Sequence, residues 1–268
     1  MNWALYFNEL KSNAKTISSY AFGMLFYLWL FIWIYPSFAG SQALNNLLRQ
    51  MPQGLMKVLG YTVGVTHIGD FLGGEFYSLL YLIIMSVYTV FVATKLVAHL
   101  VDTGSMAYLL ASPVSRTKIA TTQAAVLTSG VLAIGVVSTV GALLGVHWLV
   151  HHSGMNDTHF VQMNIVGVLL FAVVSGYCFL FSCLVRDERT ALGLSALLTI
   201  VFYGLHTVGD LTTKFDWMNH LTLFNVFDPQ NLIRGQGHFV ADSVSLAAAS
   251  VVLFGIAIAG FRRRQLPL

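Results

Sequence analysis

Long apolar stretches alternate with polar connections along this chain. Six stretches are nearly free of charge and close to the roughly 20 residues that a helix needs to cross a hydrocarbon core. They cover residues 21–38, 76–98, 122–148, 162–184, 190–209 and 243–261. A soluble core helix is shorter and keeps a polar face, whereas these stretches are apolar all round. The pattern predicts an all-α integral membrane protein with six transmembrane helices in a single domain over residues 1–268.

The composition supports this fold class. Charged residues make up 9% of the chain, compared with about 25% in soluble domains. The formal net charge of +3 comes from the connections and the tail. It favours contact with anionic lipid headgroups of the bilayer rather than with nucleic acid.

The basic residues predict the orientation of the six helices. If the amino terminus is cytoplasmic, ten of the 14 basic residues fall in cytoplasmic segments and four fall outside. The four outside are Arg49, Lys57, Lys214 and Arg234. Because cytoplasmic loops carry an excess of lysine and arginine, the sequence predicts that both termini are cytoplasmic.

Two polar segments near the amino terminus have their own patterns. Residues 3–20 place apolar and aromatic residues among Asn, Lys and Ser, which predicts an amphipathic helix at the inner membrane interface. The segment 39–75 contains a short amphipathic stretch and many glycines. It can lie on the membrane surface or enter the bundle, and the sequence leaves both open. Asp70 and Glu75 end this segment, and we interpret them as solvated boundary charges.

The chain lacks the common catalytic motifs. It contains no G-x-x-x-x-G-K-[ST] phosphate loop, no H-E-x-x-H zinc motif and no G-x-S-x-G nucleophile elbow. Cys178 and Cys183 both fall within the fourth span and are predicted to be small core residues. His147 and His151 share a helical spacing, but only Asp157 lies near them in sequence, so we predict no metal site. The chain is predicted not to be an enzyme and to hold no cofactor.

The connection between the second and third spans has the most specific pattern in the chain. Met106, Leu109 and Leu110 lie on one face of a short predicted helix. Pro113 must end or bend this helix, because proline lacks the donor for another turn. Arg116 then begins the third span and anchors it at anionic headgroups. The next cytoplasmic connection is much shorter and carries mixed charge, Arg-Asp-Glu-Arg at 186–189.

The run from Asp102 to Ile119, DTGSMAYLLASPVSRTKI, resembles a pattern of the ABC type-2 permeases, which are membrane subunits of bacterial ATP-driven exporters. The shared features are an acidic residue, a glycine, a Leu-Leu pair and Pro-Val-Ser-Arg. The bacitracin-resistance-like subgroup is the most similar. Six spans, a charged link between spans four and five, and the tail FRRRQLPL agree with that layout. The family often has several glutamates before the glycine, whereas here only Asp102 stands.

This resemblance implies a transport subunit of the bacterial cytoplasmic membrane. A second permease subunit, identical or homologous, would pair with the chain. Separate cytoplasmic ATPase subunits would bind ATP and Mg²⁺, and the substrate would be an amphiphile such as a peptide antibiotic, a lipid or a drug. The residues expected to couple the chain to the ATPase are Asp102, Gly104, Leu109, Leu110, Pro113, Arg116, Arg186, Asp187, Glu188 and Arg189.

Two other classes of function are open from the sequence. A membrane sensor or immunity protein would bind an antibiotic or lipid without transporting it. An intramembrane hydrolase or lipid transferase would need paired catalytic groups, which the sequence does not show. Copurification of an ATPase subunit would discriminate among the three classes.

Overall fold

A computed structural model describes residues 2–38, 67–111, 114–150, 154–211 and 213–264. In these ranges all regular secondary structure is helical, with no strand. Six of the helical segments described are long and apolar enough to cross a membrane. The prediction of an all-helical chain with six candidate spans is therefore confirmed. Most of the segment 39–75, and with it the choice between a surface and an inserted position, lies outside the described residues.

The helices are numbered here in chain order. They are α1 (Trp3–Phe38), α2 (Ile68–Phe71), a π-helix (Leu72–Leu80), α3 (Tyr81–Leu96), α4 (Ala98–Asp102), α5 (Met106–Ala111), α6 (Arg116–Leu149), α7 (Asp157–Leu184), α8 (Glu188–Leu211), two 3₁₀ helices (Thr213–Leu221 and Phe224–Val226), α9 (Pro229–Ile233) and α10 (Phe239–Arg263).

The amino-terminal segment continues into the first span without a break. The 36 residues of α1 correspond to a length of about 54 Å at 1.5 Å per residue, well beyond a hydrocarbon core. Residues 3–20 are thus not a separate helix. The Tyr6 hydroxyl lies 2.7 Å from the Ser129 hydroxyl, and the Asn2 amide donates to Thr122 Oγ1 over 3.1 Å. Residues 3–20 therefore pack beside the first turns of α6, and their position at the inner interface stays a prediction.

Helices α1 and α6 pack in parallel through small residues. The indole Nε1 of Trp29 donates to the carbonyl oxygen of Gly141 over 3.0 Å. A Cβ at Gly141 would meet the Leu25 side chain, and one at Gly145 would meet Ile32. Lipid tails provide no hydrophobic driving force between membrane helices, so the helices depend on close packing. Glycines four residues apart permit this close approach, because they carry no side chain.

Helix α7 forms the centre of the bundle. In an apolar stretch of 18 residues of α7, 72% of the residues are buried, whereas in the corresponding stretch of α8 only 17% are buried. It packs against α10, α3, α6 and α8. Glycines again mark the close approaches: a Cβ at Gly167 would meet the Tyr81 ring of α3, and one at Gly176 would meet Leu253 of α10.

The second span begins earlier than the sequence predicts. Helical structure starts at Ile68 rather than at residue 76, and it passes through a π-helix before α3. A long-range ion pair lies in this early part of the span: Asp70 is 7% exposed, and its Oδ1 accepts from Arg234 Nε at 2.8 Å. The interpretation of Asp70 as a solvated boundary charge was wrong, because a partner 164 residues away offsets its burial.

Candidate coupling site

The predicted coupling residues lie where α3 ends and the chain turns. The helix breaks at Val97, whose backbone dihedrals are −131° and −60°, and α4 then begins at Ala98. The break would leave the Ala98 amide without a helical acceptor, but it donates to the Ser182 hydroxyl of α7 over 2.9 Å. The start of α4 is thus fixed to the central helix, as buried backbone groups require.

The structure brings Asp102 together with Glu188 from the other predicted connection. Asp102 Oδ2 accepts from the Glu188 amide at 3.3 Å. One turn earlier on α4, His99 Nδ1 lies 2.6 Å from Glu188 Oε2. Two contacts therefore join α4 to the first residue of α8.

The rest of the mixed-charge link shapes the start of α8. Asp187 Oδ2 accepts from the Thr190 amide at 2.7 Å, which caps the helix. Hydrogen bonds from Thr190 hold the pKa of the Asp187 carboxyl below its usual value. Arg186 and Arg189 are exposed. Their charges face solvent, and their coupling role stays a prediction.

Between α4 and α5 the chain reverses at Gly104. Its φ is +73°, a left-handed conformation that favours glycine because other residues carry a Cβ. In α5, Met106 is buried and Leu109 is half-buried against the core. Leu110 belongs to the same helix, but its side chain lies outside the described residues. Pro113 lies outside them as well, so its helix-ending role stays a prediction.

Tyr108 of α5 was not among the residues predicted from the sequence. Its side chain is 84% exposed, the highest exposure among the large hydrophobic residues that the structure describes. Single exposed apolar residues are ordinary on protein surfaces, but tyrosine is enriched where partner proteins bind. Its position on the predicted coupling helix, beside two inward-facing apolar residues, could have drawn attention to it.

A second network joins the ends of three other helices. Arg116 Nη1, at the start of α6, donates to the carbonyl oxygen of Arg264 over 2.5 Å. Arg264 Nη1 in turn donates to the carbonyl oxygen of Cys183 near the end of α7, over 2.8 Å. Burial lowers the pKa of the Arg264 guanidinium, and the nearby Cys183 offsets part of this effect. In the sequence, Arg264 stood out only as part of the tail FRRRQLPL.

The two networks lie at one end of the bundle, together with a third contact. Lys95 Nζ donates to Asn13 Oδ1 over 3.2 Å and joins α3 to α1. Because Arg264 follows α10 and Asn2 lies beside the first turns of α6, the start of α1 and the end of α10 share this end. Each of the six spanning segments therefore has a polar contact to a neighbour at this end.

The histidines at the opposite end do not form a metal site in the described ranges. His147 Nε2 lies 3.8 Å from Asp157 Oδ2, but no group of three His, Cys, Asp or Glu side chains in those ranges could hold an ion. His151 lies outside the described residues. His206 falls within the predicted fifth span. Its Nε2 lies 3.6 Å from Asp210 Oδ2 one turn later, which is a local pairing within α8.

The chain matches no family model, and no curated protein is similar to it in sequence. The residues and their geometry are therefore the basis for any statement of function.

Proposed function

We propose that this chain is the membrane-spanning permease subunit of an ATP-driven ABC exporter. It would pair with a second permease subunit and with separate cytoplasmic ATPases, and move an amphiphilic substrate across the bacterial cytoplasmic membrane. The observation that carries this proposal is the double contact of α4 with Glu188. Two connections expected to meet an ATPase are already joined there into one surface.

The contacts suggest how a force on this surface would reach the spans. A push on α5 would act on α4 through the short turn at Gly104. From α4 it would pass to α8 through Glu188 and to α7 through Ser182. Contacts between packed helices suit such a linkage, because packed elements move as units rather than deforming continuously.

The orientation of the bundle is part of the proposal. We place the end that carries the Asp102–Glu188 contact in the cytoplasm, so that both termini are cytoplasmic, because ten of the 14 basic residues then lie inside. Residues 3–20 would run along the inner interface beside the start of α6.

Single cysteines test this orientation directly. In a background without Cys178 and Cys183, Tyr108→Cys should react with an impermeant maleimide only after lysis, whereas Thr158→Cys should react on intact cells. Both replaced residues are exposed in the structure. Labelling of both cysteines on intact cells would contradict the orientation.

Tyr108 is the residue we assign to the ATPase contact. Truncating an aromatic anchor in a protein interface often costs 2 kcal/mol or more, about a thirtyfold loss of affinity. Tyr108→Ala should therefore reduce copurification of an ATPase subunit in mild detergent without unfolding the protein, because the side chain makes few internal contacts. Trp217→Ala is the matched control: it removes another exposed aromatic, 58% exposed, at the opposite end.

The outcome separates the proposal from its alternative. Loss of the ATPase from the Tyr108 variant alone supports docking at α5. Equal recovery from both variants would exclude Tyr108 as an anchor. A sensor or immunity protein that only binds an antibiotic or lipid would copurify with no ATPase in any variant.

A further inference from the structure

A pocket of about 430 Å³ opens at the end of the bundle opposite the Asp102–Glu188 contact. Three separate parts of the chain form it: the start of α2, the turn before α7 with the first turn of α7, and the end of α9. Its lining includes His67, Asp70, Asn156, His159 and Arg234. None of these residues belongs to the coupling site, so the pocket requires its own explanation.

Two histidine rings are seated in the pocket by glycines with left-handed backbones. Gly154 has a φ of +61°, and a Cβ there would collide with the His67 ring. Gly235 has a φ of +74°, and a Cβ there would collide with the His159 ring. Each ring thus lies directly on backbone that only glycine leaves open.

The hydrogen-bonding capacity left in the pocket consists mainly of donors. Arg234 uses its Nε on Asp70, and no bond from its two Nη groups is found within the described ranges. Asn156 uses its Oδ1 to cap α7 by accepting from the Thr158 and His159 amides, which leaves its amide NH₂ to donate. Arginine can only donate, and its planar fork matches the oxygens of a phosphate or carboxylate.

The fixed orientation of Arg234 supports the same class of ligand. The ion pair with Asp70 fixes the direction of the Arg234 guanidinium, which limits the entropy lost on binding an anion. Met155 and Ile233 add an apolar wall, which suits an anion attached to a hydrocarbon.

From this geometry we propose that the pocket binds a phosphate group, held by Arg234 and flanked by His67 and His159. The phosphate can be a free anion or the headgroup of a phospholipid, and the experiment below distinguishes the two. The proposal requires neither an ATPase nor a transported substrate, so it stands or fails independently of the exporter function.

The test measures binding of inorganic phosphate to the purified protein in a zwitterionic detergent, by equilibrium dialysis with labelled phosphate. The wild type should bind phosphate saturably. The double variant Asp70→Asn/Arg234→Gln removes both charges together, which avoids stranding one of them in the interior. Its affinity should be at least about tenfold lower, because a charge-assisted bond is lost. His147→Gln, a histidine at the same end but outside the pocket, should bind like the wild type.

A second variant keeps the test decisive if the charge variant does not fold. His67→Gln/His159→Gln leaves the ion pair in place and should weaken phosphate binding severalfold. No saturable binding of phosphate or phosphatidylglycerol by the wild type would overturn the proposal. Unchanged binding in a folded pocket variant, or equal loss in His147→Gln, would overturn it too.

Lipid competition identifies the source of the phosphate. Phosphatidylglycerol, added in micelles against diacylglycerol as the phosphate-free reference, should displace inorganic phosphate if the pocket takes a lipid headgroup. Displacement by phosphatidylglycerol alone supports a lipid phosphate, and phosphate binding that neither lipid changes supports a free anion.

Discussion

Replacing Gly130 with alanine tests the packing of α3 against α6. Gly130 lies against the hydroxyl of Tyr88, and a Cβ at this position would overlap that oxygen. The Tyr88 ring cannot easily move, since it is fully buried and Tyr20 packs edge-on against it at 5.4 Å between ring centres. The substitution therefore forces a rearrangement of the core.

The expected size of the effect follows from two opposing terms. Overpacking a core typically costs about 1–3 kcal/mol, whereas alanine in place of a helical glycine contributes up to about 1 kcal/mol. We expect Gly130→Ala to lower the free energy of unfolding by about 1–2 kcal/mol on balance. Gly193→Ala is the matched control, because nothing lies within 4 Å of a Cβ at that helical position. It should be neutral or slightly stabilising.

Removing the Tyr88 hydroxyl should relieve the clash. This hydroxyl is buried and has no hydrogen-bond partner within the described residues, so Tyr88→Phe alone should be neutral or stabilising. Combined with Gly130→Ala, it should recover part of the lost stability. The recovery is partial because Tyr88 Cζ would still lie 3.0 Å from the new Cβ.

The chain carries its own reporter for this assay. Cys178 and Cys183 are both fully buried and unpaired, so a thiol-reactive dye should label them only as the protein unfolds on heating. At about 2–4 °C per kcal/mol for a chain of this size, the two alanine variants should differ in Tm by roughly 2–8 °C. Equal Tm values for Gly130→Ala and Gly193→Ala, or no rescue by Tyr88→Phe, would refute the packing argument.

Three further predictions concern the predicted coupling end. A double-mutant cycle on His99→Gln and Glu188→Gln, measured by thermal unfolding, should give a coupling energy below about 1 kcal/mol. The reason is that the two side chains are 42% and 37% exposed. A larger coupling energy would indicate a more rigid link. Gly104→Ala should cost about 1–2 kcal/mol by the same assay, with no steric contribution, since nothing lies within 4 Å; an unchanged Tm would contradict its left-handed conformation. Asp187→Ala should destabilise the protein near pH 7. The lowered pKa of Asp187 means that its contribution is present above the usual carboxyl value of 3.8 and is lost as the pH falls through the folded value, so variant and wild type should converge in acid; a gap independent of pH would contradict this.

The six spans were predictable because a run of about 20 apolar residues has few alternatives to a membrane helix. The start of the second span was not. Glycines at 69, 73 and 74 favour a loop when the sequence is considered locally, yet Gly69 and Gly73 pack against Ile233. Asp70 also depends on Arg234, which is distant in the sequence. Single-sequence patterns contain no information about such partners.

The residues of the candidate coupling site were chosen from the sequence, but their contacts could not be predicted from it. Asp102 and Glu188 were both expected there, but nothing local indicates that one accepts a hydrogen bond from the backbone of the other. His99 could have been found, because it lies three residues before Asp102 and so on the same helical face. Arg264 was harder to find, since three consecutive arginines after a span are typical of a membrane anchor.

The measurement that tests the exporter proposal most directly is the composition and ATPase activity of the tagged protein, purified in mild detergent from its own host. The proposal predicts a second permease subunit and a stoichiometric ATPase subunit. Mg²⁺-dependent ATP hydrolysis should be present in the complex and absent when the phosphate-loop lysine of that ATPase is replaced. Recovery of the 29.4 kDa chain without any ATPase subunit, and without ATP hydrolysis, would contradict the proposal.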